Sequence, residues 1–312
     1  MQKLLASFVS VADEVGRLQR GEDAECRTFQ GFCEQGHYGG RTVPTDTRQG
    51  IYAVTPSGRF LASINTRSGA NMAAMLRQAL ARWAELPPAE RQLGEDEAGK
   101  LAASKRFEDR LPKDGVVLVE YVRDLGRPAN DKDWRTRAFN TDHAWFTAAE
   151  AASLVPTDAA VGARLDWPTK LANRLVRLHL VDSVRGQTPP AKRDAVLDAT
   201  LASEVVAIAG DEVVLRFTGS TKTEAEGSWN GGRVGAGTHG VATAITGRAR
   251  WHAKDRRFTQ FELLAKGERW GATQYNERAD DQAKTAIGFA FVLAPADAPR
   301  VAPAFWWDYQ LR

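Results

Sequence analysis

Cysteine is scarce in this chain, neither sign of charge dominates it, and no long apolar run crosses it. Two cysteines in 312 residues, Cys26 and Cys33, exclude the disulfide framework that holds many small secreted domains together. With 42 basic against 39 acidic residues, the formal charge is only +3. No run of Lys or Arg gathers that charge into a patch, so nucleic acid is not an expected partner. The apolar stretch within residues 1–11 (MQKLLASFVSV) is short and soon meets Asp13 and Glu14. That is too early for a signal h-region or a membrane span. A membrane is therefore not an expected partner either, and the chain as written reads as cytoplasmic. Residues 4–11 have the apolar bulk of a buried strand more than that of a chain start. An upstream extension, and export with it, is the alternative.

Complete chemical signatures are missing as well. The glycine-rich run 231–237 (GGRVGAG) lacks the Gly-Lys-Ser/Thr ending of a phosphate-binding loop and joins two expected strands. It reads as a mobile loop at the rim of a sheet, placed to gate a pocket. Cys33 and His37 could supply two metal ligands, but no further pair follows at suitable spacing. Neither a metal nor a cofactor is expected.

What is present is an ordinary globular composition, 43% apolar and 26% charged, at a length that accommodates two domains. Residues 4–15 suggest a strand, and 17–33 are helix-permissive. A glycine-interrupted loop then leads to a strand at 50–55. Thr55-Pro56-Ser57-Gly58 has the chemistry of a type I turn, with Pro presetting φ at its second position. The return strand is 60–64. Met72, Met75, Leu76, Ala79, Leu80 and Trp83 then recur at helical spacing until Leu86-Pro87-Pro88 stops the helix.

Residues 88–113 are charged and read as a helical linker. A strong strand follows at 116–122 (VVLVEYV), Thr147 has the place of an N-cap for a helix over 148–154, and a second helix covers 170–180. From 196 the period changes to two. Strands are expected at 201–208, 212–218, 221–229, 241–251, 258–265 and 287–293, with turns at Gly210-Asp211, Gly219-Ser220 and 253–255. The fold class is therefore α+β. An N-terminal α/β unit spans 1–88, a helical linker and mixed junction 89–195, and an antiparallel β-sandwich or open barrel 196–312.

The order strand, helical segment, loop, then GIYAVTPSGRFLAS and an amphipathic helix resembles the back half of the thioredoxin-like fold, over roughly residues 1–86. The whole chain also resembles a bacterial group that places such a domain ahead of a β-rich C-terminal domain. The segments EQGHYGGRTVPTDTRQGIY, LHLVDSVRGQTPP and FTQFELLAKGERWG carry that likeness, which implies an architecture and no activity. Thioredoxin chemistry needs Cys-x-x-Cys at a helix N-terminus and a proline just before the third strand. Here Arg48, Gln49 and Gly50 precede the strand, and Pro44 lies too early. The resemblance therefore implies a degenerate or N-terminally incomplete, redox-inactive domain with a non-catalytic binding or scaffold role.

Four residues outside that domain could bind a ligand. Asp142 beside His143, with Trp145 near, could form a carboxylate–imidazole base or simply a turn before the Thr147-capped helix. His179 and Arg185 sit at the end of the second helix with Asp182 and Gln187. The Arg could hold an anion or cap the last carbonyls. Cys26 and Cys33, seven residues apart, are about 10 Å apart if the helix is unbroken, beyond disulfide reach. They remain the only residues for an alternative thiol–disulfide exchange. Nine tryptophans, eight of them beyond residue 130, raise a third possibility, glycan binding by the β domain, against core or rim packing. The expected partner is an unidentified protein or small-molecule ligand.

Overall fold

In the computed structural model of the chain, residues 2–13, 15–39, 47–104, 109, 111–230 and 232–309 are described. They fall into two compact units, Met1–Arg106 and Phe107–Arg312. Pro44, Gly231, and residues 105–108 and 110 of the expected linker lie outside the described residues.

The first unit begins with helix α1 (Gln2–Leu5), where the sequence suggested a strand. Leu4, Leu5 and Phe8 are spaced so that a single helical turn turns them to one side, onto the unit's main apolar cluster. Val9 and Val11 are left 92% and 83% exposed, so the apolar run is not a paired strand. Helices α2 (Val15–Arg20) and α3 (Ala24–Gln35) follow. Asp23 caps α3 by accepting a 2.8 Å hydrogen bond from the N–H of Cys26.

Strands β1 (Ile51–Val54) and β2 (Phe60–Ile64) pair antiparallel, with Ile51 opposite Ile64. In the turn between them the Gly58 N–H donates to the Thr55 carbonyl at 2.9 Å, and Gly58 takes φ +77°. That backbone conformation favours a residue without Cβ. Ser68 caps α4 (Gly69–Glu85), whose Met75, Leu76 and Ala79 bury themselves against Ala53, Leu61 and Ala62 of the hairpin. Burial of each large apolar side chain of this kind contributes roughly 1.5–3 kcal/mol. Helix α5 (Glu95–Ala102) is the last described element of the unit.

The second unit is built on one eight-stranded antiparallel sheet. Its strands are β3 (Val116–Asp124), β4 (Phe139–Phe146), β5 (Arg164–Asp166), β6 (Val196–Ala209), β7 (Glu212–Asn230), β8 (Arg233–His252), β9 (Arg257–Trp270) and β10 (Thr285–Leu293). Their spatial order is β4-β3-β10-β9-β8-β7-β6-β5. Within this unit's described residues β4 and β5 are the edges and there is no second sheet, which corrects the sandwich alternative. Two helices stand where a second sheet would. Helix α6 (Ala148–Ala152) and helix α7 (Thr169–Leu178) turn Ala151, Leu171, Ala172, Leu175 and Val176 onto the sheet. There they meet a core that includes Leu215, Phe217, Phe261, Phe289 and Phe291. The Thr147 cap forms as expected: its side chain accepts from the Glu150 N–H while Glu150 accepts from the Thr147 N–H.

Several sequence boundaries move. Within residues 89–195, the first part belongs to the first unit, while β3, β4, β5, α6 and α7 belong to the sheet and its cover. Gly219-Ser220 is not a turn. β7 runs through it, and a Cβ on Gly219 would stand 2.2 Å from the Thr200 carbonyl oxygen of β6, so glycine here admits a close neighbouring strand. Gly235 and Gly237, read as loop, lie within β8; Ser228 pairs with Gly235. The Gly210-Asp211 turn joins β6 to β7 as expected, with Gly210 at φ +59°. No helix among the described residues is long and apolar enough to cross a membrane.

Candidate functional site

Strand β3 alternates, and its inward positions are Val116, Leu118, Glu120, Val122 and Asp124, all buried. Two carboxylates thus occupy an otherwise apolar face, and each collects its own group of partners.

Around Glu120 the partners are Asp142, His179 and Tyr309. Direct pairing of Glu120 with Asp142 sets one carboxylate from β3 beside one from β4. His179, the C-cap of α7, is fully buried above them. Its Nδ1 lies 2.7 Å from Glu120 Oε2 and 3.3 Å from Asp142 Oδ2. Its Nε2 shares a hydrogen bond with the hydroxyl of Tyr309, on the short helix α8 (Trp306–Tyr309). That hydroxyl also accepts from the Trp145 N–H. The second oxygen of Asp142 accepts from the N–H groups of His143 and Ala304, both at 2.8 Å. The Glu120, Asp142 and His179 ligand atoms all lie within 4.8 Å of one another.

Burial pushes the Glu120 carboxyl up to about 7, against the opposing pull of His179. Burial would lower His179, but Tyr309, Asp142 and Glu120 together hold it well above its ordinary value. Asp142 resists its burial and stays below the usual carboxylate range through His179 and the two backbone N–H groups. Arg174 covers the ring of Tyr309 at 4.8 Å, but its charge is engaged by Glu150 at 2.8 Å.

Around Asp124 the partners are arginines. Arg278 is fully buried and clamps two carboxylates, donating to both oxygens of Asp124 (2.9 and 2.7 Å) and both of Asp182 (2.8 and 2.9 Å). Arg185 reaches Asp124 at 3.0 Å and Asp281 at 2.8 Å. Arg127 reaches Asp281 at 2.6 Å. Arg269 Nη2 lies 2.7 Å from Asp281 without the alignment of a hydrogen bond, while its Nη1 donates to the Asp281 carbonyl. Burial raises and the arginines lower the Asp281 carboxyl, to a net value of about 2. Burial and the neighbouring Arg278 lower Arg269.

A cavity of about 520 Å³ opens on this same unit. Thr223, Val241 and Trp270 of the sheet form one wall and the segment around Thr188–Ala195 another. The indole N–H of Trp270 donates to Thr238, and Lys284 lies 5.1 Å from its ring. Asp182 borders the cavity but is held by Arg278, whereas Asp194 and Glu226 border it with no ion pair among the described residues.

The sequence candidates are therefore regrouped. Asp142 and His179, read as members of two separate groups, meet in one. The expected partner of Asp142, the His143 ring, is replaced by His179; Asp142 takes only the backbone N–H of His143. Burial lowers the His143 imidazole. Arg185 neither caps α7 nor faces an open anion site, because two carboxylates occupy it. Cys26 and Cys33 are free, buried in the unbroken α3, and burial pushes both thiols up to about 11. Glu120 and Tyr309 were missed. Glu120 had a local signal, an acid on the apolar phase of an alternating strand; Tyr309 had none. No family model, curated protein or solved structure matches the chain.

Proposed function

We propose that this protein binds a small organic ligand in the second unit and does not itself catalyse a reaction. The observation that carries this reading is the 520 Å³ cavity, within the size range of small-molecule sites, in which Val181, Pro189, Val241 and Trp270 alternate with polar and charged side chains, more of them acidic than basic. Asp194 and Glu226 favour a ligand with a cationic or hydrogen-bond-donating group. The first unit, on this reading, is a degenerate thioredoxin-like module. The β1–β2 hairpin under α4 supports that view, as does the absence of Cys-x-x-Cys.

The test is titration of the full chain with a panel of small aromatic amines, following tryptophan emission and melting temperature. A saturable response that disappears in Ala225→Trp, which fills the half-buried cavity wall, is expected. Silence of both readouts to every amine would sink the reading. Trp270 in the cavity wall supports a second reading, glycan binding. Oligosaccharides in the same assay separate the two.

A further inference from the structure

We propose that Glu120, Asp142 and His179 form a binding site for one divalent transition-metal ion of the zinc or manganese class, closed off by the segment that carries Ala304 and Tyr309. Each of the three donors comes from a different element: β3, β4 and the C-cap of α7. An ion with bonds of about 2.1 Å to nitrogen and oxygen holds neighbouring donors roughly 3.0 Å apart in an octahedral shell and about 3.4 Å apart in a tetrahedral one. The Nδ1–Oδ2 separation of 3.3 Å falls within that range, and the 2.7 Å between Nδ1 and Oε2 needs to open by only a few tenths of an ångström.

The surrounding contacts orient the donors. Asp142 spends one oxygen on two backbone N–H groups, which leaves Oδ2 turned toward Nδ1. His179 has its other nitrogen held by Tyr309, so the ring presents Nδ1 to the carboxylates, as outer partners of metal-bound imidazoles do. Charge points the same way. A buried and a part-buried carboxylate face a single imidazole, and Arg174, which lies over the Tyr309 ring, is already taken by Glu150. A divalent ion neutralises both carboxylates at once. One imidazole and two carboxylates suit zinc, manganese or ferrous iron rather than a soft thiolate-seeking ion.

The full chain, purified without metal-affinity resin, stripped with EDTA and dialysed, is titrated with Zn²⁺ and with Mn²⁺. The expected result is one equivalent bound and a melting temperature raised by roughly 5 °C at a hundredfold excess over Kd. Binding falls at least tenfold in the near-isosteric Asp142→Asn and Glu120→Gln. X-ray absorption of the zinc-loaded natural protein checks the same point without a variant, and a first shell of one imidazole with oxygen donors is expected. No binding of either ion, or a shell containing sulfur or lacking imidazole, overturns the proposal. So does stoichiometric binding unchanged in both variants.

Discussion

Glu120 and Asp124 stand on the same face of the same strand, yet their surroundings are opposites. Around Asp124, four arginines meet three aspartates, and the positive charge is in slight excess. Around Glu120, two carboxylates meet one histidine, and the positive charge falls short. A buried charge is tolerated when it is paired and hydrogen-bonded. The Asp124 network pairs its charges from its own side chains, although Arg185 Nε and Arg269 Nε and Nη2 make no hydrogen bond. The Glu120 cluster pairs its charges only through a shared proton or a guest cation. One strand therefore carries a self-sufficient structural tie and, four residues away, a group open to outside charge.

The sharpest way to test that contrast is to remove Arg278. Arg278→Met leaves Asp124 and Asp182 buried without their clamp, and a loss of about 3–5 kcal/mol is expected in urea unfolding. A loss below about 1 kcal/mol would mean that the arginines are interchangeable and the tie is not centred there. Acid comes next. Asp281, held at about 2, contributes roughly 2 kcal/mol relative to an unfolded carboxylate near 3.9. Because its folded value is depressed, that stability is complete above about pH 3.9 and is lost as the pH falls through 2. Asp281→Asn should flatten the acid limb of a stability–pH curve, and an unchanged limb would assign the effect elsewhere. The smallest effect is expected in the Glu120 cluster. Tyr309→Phe removes the hydroxyl shared by His179 and Trp145, for about 1 kcal/mol by the same unfolding measurement, with the acid limb untouched. A change in that limb would show the two groups to be coupled.

What the sequence discloses is local. Pro56 and Gly58 announce the first hairpin, Thr147 the N-cap of α6, and Gly210-Asp211 the β6–β7 turn, because each depends on residues a few positions apart. What it conceals depends on distant partners. Gly219 resembles a turn residue until the Thr200 carbonyl is seen beside it. Residues 4–11 resemble a strand until Leu4, Leu5 and Phe8 are found against α4 and its hairpin. His143 looks like the natural mate of Asp142 because it is next in line, but neighbours along a strand point to opposite faces. The true mate arrives from the far end of α7. Tyr309 is invisible for the same reason, since nothing near it in the chain marks its contact with His179.

The place of β3 in the sheet has a consequence for biosynthesis. It is the first strand of its unit to leave the ribosome, yet one of its two neighbours is β10, the last, with Leu118 opposite Leu293 and Glu120 opposite Phe291. During translation its apolar face must wait, half-paired, for nearly the whole unit to emerge. Such distant pairing slows folding and lengthens exposure to aggregation and to chaperones. The acidic side chains at 120 and 124 keep that waiting strand from being a uniformly greasy one.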